Sequence, residues 1–102
     1  MSAPTTLVLQ AIALNKCIAA TYNRQALVLA PHILYTRHEE IYVDAITILR
    51  DGYPPKEVKL GAYKLTGLRD ATLADRPFAR SKLFDPADPR YAGTTLFAVE
   101  GE

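Results

Sequence analysis

Residues 40–49 read Glu-Ile-Tyr-Val-Asp-Ala-Ile-Thr-Ile-Leu, and this stretch decides the fold class. β-branched and aromatic side chains fill it without a glycine or proline, which suits a half-buried pleated strand better than a helix. Alternation sets Ile41, Val43 and Ala45 on one side, and Tyr42, Asp44, Ile46 and Ile48 on the other. Asp51-Gly52 and Pro54-Pro55 end the strand, the first by turn geometry and the second by the donor that proline lacks.

The same period runs outward from it. Residues 37–39 read as a turn, preceded by residues 26–30 and 33–36, two pieces of a strand stopped or bent at Pro31. Residues 17–22 form a first strand, closed by a tight turn at Asn23-Arg24-Gln25. Ahead of them, Leu7, Val8, Ala11, Ile12, Leu14 and Asn15 recur at helical spacing. Thr5 or Thr6 is placed to cap that helix after a short arm over residues 1–4. The helix is apolar around most of its circumference, so burial on more than one side, plugging or covering a sheet, is expected. Downstream, residues 57–61 and 63–73 supply one or two further strands, with Gly61 and Gly67 as bends or bulges. From residue 75 the chain turns irregular around Pro77, Pro86 and Pro89. It has room for one helical turn and is laid across the sheet by Phe78, Phe84 and Tyr91. Residues 96–99 add a closing strand. The reading is mainly β with one N-terminal helix, a small twisted barrel or curled sheet. Residues 1–102 form one domain, with a barrel core over 7–73 and an irregular C-terminal segment over 74–102.

Composition agrees with a single folded unit. The chain has 102 residues, 49% of them hydrophobic, enough for one core and too few for two. Its net charge of +1 does not by itself call for a nucleic-acid partner. The charges are unevenly distributed, however. Lys56, Lys59, Lys64, Arg69, Arg76, Arg80 and Lys82 face only Glu57, Asp70 and Asp75 between residues 56 and 82, whereas residues 39–44 and 100–102 are acidic. The lone Cys17 excludes an internal disulfide and a cysteine metal cage, and its apolar neighbours suit a small buried hydrophobe. The apolar run 7–14 is too short to span a bilayer, so no membrane partner is expected and a cytoplasmic protein is.

Catalytic patterns do not stand out. The five glycines are scattered, with no phosphate-binding or nucleophile-elbow spacing. His32 and His38 lack companions at metal-ligand spacing. Glu39 and Glu40 are adjacent and point to opposite faces of a strand end. No enzyme, metal or cofactor is expected. Taken alone, Tyr42 fits a core aromatic, Arg50, Lys59 and Lys64 fit the solvated face of an edge strand, and His32 fits a surface or hydrogen-bonded structural histidine.

The order of these signals resembles a WYL domain over roughly residues 7 to 91. The resemblance runs from the helix with Ala11-Ile12, through Ile18, Tyr22 and the turn at Arg24, to Ala30-Pro31-His32-Ile33-Leu34, which looks like the family's P-x-x-L segment. Ile41-Tyr42-Val43 stands at the Trp-Tyr-Leu triplet, followed by Ala45 and Arg50. Val58-Lys59-Leu60 stands at an aromatic-basic-Leu run, and residues 65–68 with Phe78 resemble the closing strand. Ile41 replaces the tryptophan, and Asp44 sets an acid in a strand that is usually apolar.

The resemblance implies an Sm-like or SH3-like β-barrel acting as a ligand sensor, as in bacterial transcription regulators where a winged-helix DNA-binding domain precedes the barrel. A free-standing relative is therefore expected, working with a DNA-binding regulator in trans and binding a nucleotide or single-stranded nucleic-acid effector. Such a ligand needs cationic donors and an aromatic face. Tyr42 and Arg50 are the first candidates, with Lys59 beside Arg50 as a phosphate clamp and Tyr22, Arg24 and His32 as further contacts. The competing expectation is an assembly module of Sm-like type that forms homo-oligomers through edge strands without a small-molecule ligand.

Overall fold

The computed structural model describes residues 3–99. Helix α1 (Ala3–Leu14) is followed by strands β1 (Lys16–Tyr22), β2 (Gln25–Arg37), β3 (Glu40–Arg50), β4 (Leu60–Lys64), β5 (Arg69–Pro77) and β6 (Thr95–Ala98). Short 3-10 turns at Leu65–Gly67 and Pro89–Tyr91 complete the fold. The molecule is thus mainly an antiparallel β-sheet with one helix, as its sequence leads one to expect. The sheet runs β4-β3-β2-β1-β5, with β6 added along β2. Residues 1–2 and the acidic tail at 100–102 lie outside the described residues.

The helix begins earlier than its sequence suggests. Pro4 falls in the first turn, where a missing N–H costs no bond, so the expected arm is helical from Ala3 onward. Thr5 and Thr6 consequently lie inside the helix and not at its cap. The expectation of burial on several sides is corrected as well. Val8, Ala11 and Ile12 pack into the core at helical spacing, but Gln10, Ala13 and Leu14 are exposed. Asn15 ends the helix with a left-handed φ of 54°.

Pro31 does not stop β2. Its ladder to β1 ends at Leu29 and its ladder to β6 begins at Ile33, so Pro31 sits where the strand changes neighbours. Pro31 pairs with Ala45 and Ile33 with Asp44, which leaves His32 as the extra residue of a bulge. A second irregularity leaves Ile48 extra on β3, because Val28 pairs with Leu49 and Leu29 with Thr47. These bulges bend the two long strands.

The expected strand at 57–61 is displaced. Residues 54–59 form a loop, and Gly61 lies inside β4 paired with Ala45. From β4 the chain crosses to the opposite edge strand, β5, through the 3-10 turn at Leu65–Gly67, which curls the sheet. The core is built from Ile18, Leu29, Leu34, Val43 and Leu65 together with Phe84, Tyr91 and Val99 of the C-terminal segment, all buried. Burying each large side chain stabilises the fold by about 1.5–3 kcal/mol, so this segment is part of the core and not an appendage. No helix is long and apolar enough to cross a membrane.

Candidate functional site

A cleft of about 460 Å³ opens where β3 ends. Arg50 and Thr47 of β3 line one wall, Lys56, Glu57 and Lys59 of the following loop the other, and Gly61 and Tyr63 of β4 complete it. Its shape begins with a two-residue turn. Asp51 and Gly52 both take positive φ, 50° and 88°, and Arg50 and Tyr53 exchange backbone hydrogen bonds of 2.7 and 3.0 Å across them. Pro54 and Pro55 then hold the loop open as it runs back towards Lys59.

The base of the cleft is polar and satisfied. Thr47 Oγ1 and Tyr63 Oη share a hydrogen bond of 2.6 Å. The Tyr63 ring is met edge-on by Tyr22 at 5.0 Å and 85°. Above this base stand three cations and one carboxylate. Lys59 pairs with Glu57 at 3.2 Å, both groups being exposed. Among the described residues neither Arg50 nor Lys56 takes part in an ion pair. Exposed cations of this kind attract anions but are screened by salt. They can hold phosphate oxygens through charge-assisted hydrogen bonds.

Three residues singled out in the sequence gather at this end of the sheet. Arg50 and Lys59 line the cleft, and Tyr22 buttresses its base. Arg24 is nearby in the ladder, on the turn that precedes Gln25, since Leu27 pairs with Arg50 and Ala26 bonds to Asp51. Tyr42 lies elsewhere. The extra residue Ile48 shifts the alternation, so Arg50 shares a face with Thr47 while Tyr42 faces the other way. Eight residues of strand, about 26 Å, separate them. Tyr42 stacks on Tyr35 at 6.0 Å. On the next strand it is paired with Lys64, which is held by Glu40 at 2.6 Å. That carboxylate raises the pKa of the Lys64 ammonium.

His32 lies in the interior, 1% exposed. Its Nδ1–H donates to Ala30 O at 2.7 Å, and its Nε2 accepts the Ser81 N–H at 2.9 Å, which together specify one neutral tautomer. Phe78 and Phe84 flank the ring. Burial pulls its pKa below the ordinary imidazole value, and Arg80 adds to the effect. Nδ1 thus braces the ring on β2 itself, and Nε2 holds the C-terminal segment to the bend of that strand.

A second polar cluster centres on Asp44, which is 0% exposed. It accepts the hydroxyls of Tyr35 at 2.7 Å and Tyr91 at 2.5 Å, and Arg90 approaches at 3.4 Å. Burial and the adjacent carboxylate push both tyrosine pKa values up. The acid that looks out of place in the strand is therefore the anchor of a structural network. Sequence reasoning also passed over Thr47, Lys56 and Tyr63 as cleft residues. Only Lys56 left a signal, as the first member of the basic stretch.

Comparison with protein families, with curated proteins and with solved structures finds no match for this chain.

Proposed function

We propose that this chain is a ligand-binding regulatory module of the WYL kind, built as a small Sm-like barrel, whose cleft beside Arg50 takes a phosphate-bearing nucleotide or single-stranded nucleic acid. The observation that carries the reading is that Arg50, Lys56 and Lys59 line one cleft with a single carboxylate, Glu57, among them. The strand order, the N-terminal helix and the 3-10 passage between the edge strands support the barrel reading. Nucleotides and short oligonucleotides are expected to raise the melting temperature at low salt and to lose that effect at high salt. Arg50→Ala and Lys59→Ala remove the stabilisation, whereas Tyr42→Ala, at the far end of β3, leaves the affinity unchanged. Absence of stabilisation by every nucleotide and oligonucleotide sinks the reading.

A second reading, assembly through sheet edges, is favoured by one feature. Among the described residues β6 pairs with β2 alone, and its Leu96 and Phe97 are exposed. A defined oligomer in light scattering, together with no nucleotide effect, selects it.

A further inference from the structure

We infer that the cleft serves an extended single strand, DNA or RNA, with one base stacked on Tyr53 and neighbouring phosphates running past Arg50, Lys56 and Lys59. This inference rests on the anion-binding reading of the cleft and specifies its ligand.

Tyr53 is 75% exposed. It is also the one of the six tyrosines with no ring contact among the described residues. Its backbone nevertheless is fixed. Tyr53 and Arg50 exchange two hydrogen bonds. The turn between them is tied to β2 by Asp51 N–H on Ala26 O at 2.7 Å and by Ala26 N–H on Asp51 Oδ1 at 2.9 Å. A large, mostly exposed ring is thus carried on a hydrogen-bonded turn and stacks on no other ring among the described residues. The backbone's share of the ordering entropy of a stacking contact is already spent there.

Its position beside the cations selects the ligand. Arg50 is Tyr53's bridge partner, and Pro54-Pro55 carries the chain directly to Lys56. Three residues span at most about 10 Å, so an aromatic face and a phosphate donor lie within reach of one strand. A site for a compact mononucleotide gathers buried, convergent donors or backbone N–H groups around one phosphate. Here the cations are exposed, spread along the loop and interrupted by Glu57. Spread cations with a protruding aromatic suit a strand that lays successive phosphates and bases along a surface.

The chain contains no tryptophan, so Tyr53→Trp creates a unique fluorescent reporter at the stacking position. Oligothymidylate and oligouridylate of about ten nucleotides are titrated into this variant, alongside thymidine monophosphate and base-free polyphosphate. Saturable quenching by either oligonucleotide is expected, with much weaker effects from the monophosphate and polyphosphate; the two oligonucleotides report whether the sugar is discriminated. By anisotropy of a labelled oligonucleotide, Tyr53→Ala is expected to bind about 5- to 100-fold more weakly, and Tyr53→Phe close to the unsubstituted chain. Circular dichroism confirms that these surface variants fold. Should Tyr53→Ala bind like the unsubstituted chain while Arg50→Ala does not, the stacking inference is overturned and the cleft reading stands. Equal affinity for the monophosphate or for polyphosphate overturns it in the same way. No binding of any anion removes the cleft reading itself.

Discussion

Tyr91 donates its hydroxyl to the carboxylate of Asp44 at 2.5 Å, across 47 positions of sequence. This bond, with that from Tyr35, gives a fully buried carboxylate two neutral donors and fixes the C-terminal segment against the long hairpin. Asp44→Ala strands two buried hydroxyls and is expected to cost about 3 kcal/mol, whereas Tyr91→Phe removes one donor to a charge and costs about 2 kcal/mol. Arg90, half exposed and 3.4 Å away, contributes little. Urea denaturation measures both variants. A cost for Asp44→Ala under about 0.5 kcal/mol contradicts the anchoring role.

His32 makes stability depend on acid. The folded state lowers its pKa from 6.5, so just below that value the unfolded chain binds more protons than the folded one. The stabilisation is present above the unfolded pKa and is lost as pH falls through the lower folded value. Protonation places an N–H at Nε2 against the Ser81 N–H, donor facing donor. Melting temperatures between neutral and mildly acidic pH are therefore expected to fall more steeply for the unsubstituted chain than for His32→Gln. Parallel profiles count against this assignment.

The fold was legible where local pattern and tertiary structure agree. Residues 40–49 form a strand, the turns at Asn23-Arg24 and His38-Glu39 lie where polar residues interrupt β-branched runs, and Cys17 is buried. What escaped were features set by partners. Pro31 reads as a breaker, yet β2 changes neighbours at that point and asks little of its missing N–H. Alternation along β3 puts Tyr42 and Arg50 on one face, and the single extra residue Ile48, invisible in composition, separates them. Asp44 looks foreign to a strand because its donors arrive from Tyr35 and from Tyr91 far along the chain. Arg50 and Lys59 come to line one cleft because Arg50 ends β3 and Lys59 closes the loop that follows it.

Arg24 occupies a backbone conformation that favours glycine. Asn23 and Arg24 both take positive φ, 49° and 66°, as the twist of a two-residue hairpin requires. Asparagine tolerates this region and arginine does so poorly. Arg24→Gly is expected to stabilise the chain by about 1 kcal/mol, read as a higher denaturation midpoint with an unchanged slope. Glu39→Gly, at φ 64° in the next hairpin, provides an independent test with the same expected sign. A loss of stability in both variants contradicts the strain argument.

Gly67 permits the approach of the 3-10 turn to β1. A Cβ at this position falls 2.7 Å from Cε1 of Tyr22. That ring meets Tyr63 edge-on, and its hydroxyl accepts the Lys64 N–H at 3.3 Å. Gly67→Ala is therefore expected to cost about 1–3 kcal/mol by overpacking. By shifting Tyr22, it also loosens Tyr63 at the base of the cleft. The two effects are linked through one ring, so Tyr22→Leu is expected to remove most of the cost of Gly67→Ala in a double-mutant cycle. Strict additivity of the two substitutions, measured by denaturation, rules out Tyr22 as the group that requires glycine at position 67.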